Sequence, residues 1–420
     1  MSVFLTIAVI LGLTALFAFL NERFLGLQQT IGLMLIAVVF TVALAILDTV
    51  GVSGYFAREQ AFVSSLALDQ TLLKGVLCFM LFAGSINVKA RILGEEKWVI
   101  LTLAIASTLI AAMLIGVSMW AVLAAIGVGL GLVHALVFGA LISPTDPIAA
   151  LAILGKVGLP PRLAAIINGE SLFNDGVGVV VFTICVTIAV GTQQPTAMDA
   201  LSMFLREVVG GVALGFAAAA VMHAMLARTE DYGTQVLISL AVVTLAYGIA
   251  EHVEVSGPIA LVVTGLTIGN VTMPRLERRE TIPFKTFWRA IDEILNSVLF
   301  VLIGLHLAVV PMLDPLIPTG AIAIVVCLAA RWISVYLPLR TLGVFGILRA
   351  RTVGLTNLLT WGGLRGGLAI AMALSLPDGP QEDLILKITY AVVAFSIIVQ
   401  GLTVGRIFKA DDMKHLLGRA

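Results

Sequence analysis

The sequence predicts an all-α polytopic membrane protein of about thirteen transmembrane helices, and three observations carry that prediction. Of its 420 residues, 60% are hydrophobic and only 12% are charged, whereas a soluble domain carries about a quarter charged residues. Apolar runs near the length that crosses a bilayer as a helix recur along the whole chain. Those runs show no period-2 alternation, which favours helices over a membrane barrel. A soluble fold needs a charged skin that this chain lacks, so a cytosolic enzyme and a disordered chain are both excluded. The net charge is +0, with 25 basic and 25 acidic residues, so no surplus exists to hold a nucleic acid.

The apolar runs lie at 2–20, 29–48, 71–88, 98–126, 130–155, 162–190, 203–226, 234–251, 257–273, 286–309, 318–340, 352–376 and 386–407. The first has no basic segment ahead of it and is long enough to span, so it reads as mature structure and not as a secretory signal. Short linkers join the runs, and residues 1–420 form a single membrane domain. Cys78, Cys185 and Cys327 each stand alone in an apolar run and read as small buried hydrophobes, with no cofactor implied. With the N-terminus outside, 19 of the 25 Lys and Arg fall on inside segments and 3 on outside loops. That asymmetry places the C-terminus, with the short tail 408–420, in the cytoplasm.

Charges within the runs need a reason, because each costs about 2.5–3.5 kcal/mol at mid-membrane on insertion scales. Asp146, Glu170, Asp175, Arg331 and Arg365 all lie well inside runs. If both arginines pair with carboxylates, one negative charge is left over, and a lone buried carboxylate must take a proton or a cation. A single site filled alternately by H⁺ or a monovalent metal ion is the core of an exchange mechanism.

The fifth run reads Ser143-Pro144-Thr145-Asp146-Pro147 at its centre. Pro144 and Pro147 remove helical donors and push their predecessors out of helical geometry, so the helix should break there. Unwound backbone at that depth survives only where it lines a cavity, and its carbonyls and half-helix ends make ion sites. In the sixth run Glu170 and Asn174 are i,i+4 neighbours, as are Ser171 and Asp175, so the four share one polar face. That face, with two carboxylates, a hydroxyl and an amide, is a hard-oxygen array suited to Na⁺, Li⁺ or K⁺ and not to a soft metal. Gly178 extends it without bulk. In the twelfth run Gly362-Gly363-Leu364-Arg365-Gly366-Gly367 permits a second break, with Arg365 placed to neutralise the ends of broken helices. Arg331 reads as an ion-pair partner, and Glu170 is the partner expected for it.

Two broken helices in corresponding positions suggest inverted six-helix repeats, 1–190 and 234–407, joined by the span 203–226. Asp292, Glu293 and Asn296 lie near the start of the tenth run, where acids complement a helix N-terminus, and take a structural reading. His134 and His306 are lone residues in apolar runs and take the same reading.

The motifs SPTDP, GESLFNDG and GGLRGG, in that order, together with NSVLFVLIGL at 296–305, resemble the monovalent cation–proton antiporters of the CPA1 group. That group includes the prokaryotic NhaP-type and the animal NHE-type exchangers. The resemblance implies the NhaA/NhaP-like antiporter fold with crossed broken helices, a dimerisation domain and a moving core, assembled as a homodimer in the bilayer. It implies Asp175 as the ion- and proton-binding carboxylate, preceded by Asn174, with Ser171, Thr145 and Asp146 completing the site. Na⁺ would be held by Asp175, Ser171 and Thr145. Arg331 would pair with Glu170, and Arg365, with Pro144 and Pro147, would stabilise the crossing. The short tail points to a prokaryotic member in the inner membrane. An amide at Asn174 carries no second proton, so one Na⁺ for one H⁺, electroneutral, is the expected exchange. A K⁺/H⁺ antiporter with the same machinery, a passive cation channel and an intramembrane protease are the rival readings; the protease lacks a GxGD sequence or an evident Ser–His pair.

Overall fold

The computed structural model describes residues 3–49, 75–191, 196–275, 278–309, 317–348, 351–377 and 379–409, together with Met413 and Leu416. Arg58, Lys74, Arg349, Lys414 and Arg419, all used in the charge count above, lie outside the described residues. Among the described residues every regular element is a helix, apart from one isolated bridge between Asp146 and Leu364.

The first half runs through α1 (Val3–Leu20), α2 (Gln29–Thr49), α3 (Leu77–Ile86), the short α4 (Ala90–Glu95) and the long α5 (Lys97–Ala125). Two half-helices follow, α6 (Leu132–Ile142) and α7 (Ile148–Lys156), and then the unbroken α8 (Pro161–Val190). Next come α9 (Ala197–Leu226), α10 (Tyr232–His252), α11 (Gly257–Arg275), α12 (Arg278–Val309) and α13 (Ile317–Val344). A second pair of half-helices, α14 (Thr352–Gly362) and α15 (Gly367–Leu374), precedes α16 (Pro380–Ile407).

Helix starts follow local chemistry. Pro161 and Pro380 open α8 and α16, where a missing N–H costs no hydrogen bond. A capping box starts α9: Thr196 Oγ1 accepts the Asp199 N–H at 3.3 Å, and Asp199 Oδ2 accepts the Thr196 N–H at 2.9 Å. Asp231 starts α10 by accepting both the hydroxyl and the N–H of Thr234 at 2.7 Å, which holds its exposed carboxyl below the usual range.

Nine helices among the described residues are long and apolar enough to cross a bilayer by themselves. Of the other four apolar runs, one is the short α3, two are divided as α6–α7 and α14–α15, and one lies on the 32-residue α12. Three elements differ from the hydropathy reading. Helix α4 occupies a stretch read as a linker, because six residues with two charges leave no apolar window. Helix α12 starts at Arg278 and not near 286, its first turns being charged and so invisible to hydropathy. Helix α16 starts at Pro380, before the apolar run at 386, on the acidic first turn of Glu382 and Asp383.

The largest apolar core gathers α2, α5, α6, the second half of α12, α13, α15 and α16. A separate cluster gathers α3, α9, α10, α11 and the first half of α12. It centres on Trp288, which is fully buried, lies edge-on to Phe82 at 4.6 Å and donates its Nε1–H to Ser239 Oγ at 3.1 Å. Helices α5 and α6 meet most closely at Gly139, where a Cβ would collide with the Ala112 carbonyl of α5. Backbone cannot retreat as a flexible side chain can. Gly139→Val is therefore expected to cost about 2 kcal/mol or more, read as a lower midpoint in thermal unfolding of the detergent-solubilised protein. Gly94→Ala, whose Cβ would stand in open space, should leave that midpoint unchanged.

Candidate functional site

The two breaks meet. Helix α6 stops at Ile142, and Pro144 and Pro147 keep the next five residues out of helix until α7 begins at Ile148. In the other break Gly363 to Gly366 separate α14 from α15. The strands of unwound chain cross antiparallel, with the Asp146 N–H donating to the Leu364 carbonyl at 2.7 Å.

Several of the freed backbone groups then find partners, as burial demands. The Arg365 guanidinium donates through Nη1 to the carbonyls of Ser143 at 2.5 Å and Pro144 at 2.8 Å, the end of α6. The Ser143 hydroxyl donates to the Ala140 carbonyl at 3.0 Å. Asp146 Oδ1 accepts the Ile148 N–H at 2.9 Å and so caps α7. Behind the second break, the Arg365 N–H donates to Ser396 Oγ at 2.8 Å, and the Ser396 hydroxyl donates to Gln400 Oε1 at 2.7 Å. Gln400 Nε2 reaches the Thr360 and Trp361 carbonyls at 3.4 and 3.3 Å. Ser396 and Gln400 were overlooked in the sequence reading. Their signal was available: two polar residues at i,i+4 in the otherwise apolar stretch 391–402.

Helix α8 supplies the third wall. The Ser171 hydroxyl donates to the Thr145 carbonyl. The Asn174 amide straddles Thr145, its Nδ2 donating to Thr145 Oγ1 at 2.9 Å and its Oδ1 accepting the Thr145 N–H at 3.4 Å. Gly178 lets the Pro144 ring lie against α8, where a Cβ would collide with Pro144 Cγ. Arg331 Nη2 stands 2.6 Å from Glu170 Oε1 and 3.4 Å from the Leu359 carbonyl, and both charged side chains are 2% exposed.

A cavity of about 350 Å³ opens on the crossing. Pro144, Thr145, Asp146, Pro147, Ser171 and Asp175 line it, whereas Asn174, Glu170, Arg331 and Arg365 do not. The candidate residues thus divide into a group facing the cavity and a group bracing it from behind. The count of one leftover negative charge assumed that both arginines pair with carboxylates, whereas Arg365 lies at the broken helix ends, the place expected for it. Arg365 is spent on carbonyls and only Arg331 forms an ion pair, so two of the run carboxylates, Asp146 and Asp175, have no basic partner among the described residues. Asp292 also lines the cavity, with Arg289 one turn away, so three carboxylates and one guanidinium face the same space. The structural reading of Asp292 as a helix-start acid fails, because α12 begins well before it and its side chain faces a site. Asn296 Nδ2 holds Asp292 Oδ1 at 3.1 Å. The i,i+4 pairing of Asp292 and Asn296 was the sequence signal for it.

His134 and His306 separate. His134 Nε2 lies 3.2 Å from Glu382 Oε1, across the starts of α6 and α16, while His306 stacks on Tyr390 with ring centroids 6.1 Å apart.

Residues 62–410 match the family model described as "Sodium/hydrogen exchanger, transmembrane". The chain is 39% identical to the Na⁺/H⁺ antiporter NhaP of Pseudomonas aeruginosa, over 96% of each chain. It is 33% identical to the Na⁺/H⁺ antiporter NhaH of Halobacillus dabanensis, over 84% of this chain and 86% of that one. Its fold matches the sodium proton antiporter MjNhaP1 of Methanocaldococcus jannaschii with a TM-score of 0.78 and 18% identity, over 100% of both chains. The family model spans most of the helices, both breaks and all of α8, and on that match the chain belongs to the sodium/hydrogen exchanger family.

Proposed function

We propose that this protein exchanges Na⁺ for H⁺ across a membrane, with cation and proton competing for the Asp175 carboxylate. The observation that carries the reading is the pair of uncompensated carboxylates, Asp175 and Asp146, facing one cavity where two broken helices cross. A carboxylate in that position is stable only when a proton or a cation neutralises it. Ser171 and Thr145 add hard oxygens beside it, which fit a dehydrated alkali ion. Sodium is favoured over potassium because the relatives named above are Na⁺/H⁺ antiporters.

The stoichiometry proposed is one for one. Asn174 holds both the N–H and the hydroxyl of Thr145 and, as an amide, has no proton to exchange. Asp146 is engaged in capping α7, which leaves Asp175 as the carboxylate free to change partners. The two crossing breaks also favour inverted repeats, 1–190 and 234–407, about the span 203–226. We further propose a homodimer in the inner membrane, with the N-terminus outside and the C-terminus cytoplasmic, an orientation supported by the bias of Lys and Arg to one side.

The decisive measurement is proton movement in proteoliposomes holding a preset pH gradient, on adding Na⁺, Li⁺ or K⁺ separately, with and without a clamped membrane potential. Collapse by Na⁺ or Li⁺ that ignores voltage is the expected result. Collapse by K⁺ alone would change the substrate, and strong voltage dependence would refute the one-for-one count. Asp175→Asn should abolish exchange in the same assay without lowering the unfolding temperature, and exchange at the wild-type rate would overturn the assignment. Glu170→Gln should act differently, lowering stability by about 3–5 kcal/mol because it strands the buried Arg331 charge. Asp292→Asn is expected to keep exchange but weaken the apparent affinity for Na⁺ about fivefold, the effect of about 1 kcal/mol of attraction lost from a cavity wall.

A further inference from the structure

A second cavity, of about 280 Å³, lies away from the exchange site. Its walls are Leu93 and Gly94 of α4, Ile100 of α5, Phe173 of α8 and Leu266 of α11, with Lys97 as its charged residue. The walls are built and not incidental. Asn270 of α11 fastens α4 in place, its Oδ1 accepting the Ala90 N–H at 2.7 Å and its Nδ2 donating to the Val88 carbonyl at 2.8 Å. At the other end of α4, buried Glu96 pairs with Arg162 of α8 and fixes the turn into α5. The groove is thus held open between α8 and α11 by two polar clasps.

Its surroundings say what fills it. Trp98 beside the mouth is 59% exposed, and Leu101 and Ile105 further along α5 are each 38% exposed, so this face of α5 borders the lipid. Lys97 is exposed and sits over the Trp98 ring at 5.5 Å, with no carboxylate at ion-pair distance among the described residues. Arg91 of α4 and Lys89 just before it add positive charge, that of Arg91 being offset by an exposed pair with Glu95 at 3.4 Å. Apolar walls below a cationic rim, at the depth where an aromatic marks the interface, match one ligand chemistry: an acyl chain under an anionic headgroup.

We propose that this groove binds one anionic phospholipid, its phosphate on Lys97 and one acyl chain between α8 and α11. The chain would touch Phe173, which is adjacent in sequence to Asn174 and two residues from Asp175. This inference does not depend on which ions the protein exchanges. Bound lipid is read directly, by native mass spectrometry of the delipidated full-length protein titrated with palmitoyl-oleoyl phosphatidylglycerol or phosphatidylcholine. The expected result is one phosphatidylglycerol retained about fivefold more tightly than phosphatidylcholine. Lys97→Gln should remove that preference while Lys97→Arg keeps it, and Gly94→Trp, which fills the groove from a position with open space, should remove retention itself. Equal retention of the two lipids by the wild type would overturn the proposal, as would an undiminished preference in Lys97→Gln. Lys97 is exposed, so its variants decide the matter even if Gly94→Trp does not fold.

Discussion

The obligation to satisfy backbone polar groups away from water governs this structure. A helix hides its N–H and carbonyl groups along its length, and breaking one at membrane depth exposes several at once. Here two helices break and each break supplies what the other lacks. The Leu364 carbonyl takes the Asp146 N–H, and the Arg365 guanidinium takes the carbonyls at the end of α6. The crossing is therefore a mutual solution, and neither break is satisfied without its partner. The Ser396–Gln400 pair extends the same logic outward to the last carbonyls of α14.

That arrangement leaves carboxylates available for chemistry. An arginine that neutralised Asp175 would leave that carboxylate no need of a proton or a cation. Arg365 is directed to carbonyls instead, and Arg331 is held by Glu170 on the side of α8 that does not face the cavity. The bracing residues and the cavity-facing residues alternate along α8: Glu170 and Asn174 brace, while Ser171 and Asp175 face inward. A spacing of four residues on one helix keeps each row on its own side.

Much of this was legible in the sequence because the signals are local. Two prolines around Thr145-Asp146 announce a break, and long apolar runs announce helices. Hydropathy missed α4 and the first turns of α12 for a physical reason: charged helices at a membrane surface look like loops to a scale that rewards apolar residues. The glycine-flanked Arg365 was expected at the broken helix ends, and there it meets carbonyls. The count of one leftover charge came out too low because it assumed two ion pairs, and whether charges pair depends on contacts between distant segments. Asp292 was set aside for a similar reason, since its role depends on α12 lying against α3 and α15, a contact between distant segments.

The two sides of the cavity at the crossing are anchored largely in different parts of the interior. Thr145 is clasped by Ser171 and Asn174, which makes the crossing and α8 one mechanical unit. Asp292 and Arg289 stand instead on the stretch of α12 whose Phe284 and Trp288 are sunk in the separate cluster around Phe82. Leu172 of α8 belongs to that same cluster, so the helix carrying Asp175 and the wall carrying Asp292 share apolar packing beside the chamber. Any change in the chamber's width must shear that close-packed contact, which ties the spacing of the two carboxylates to the integrity of the cluster.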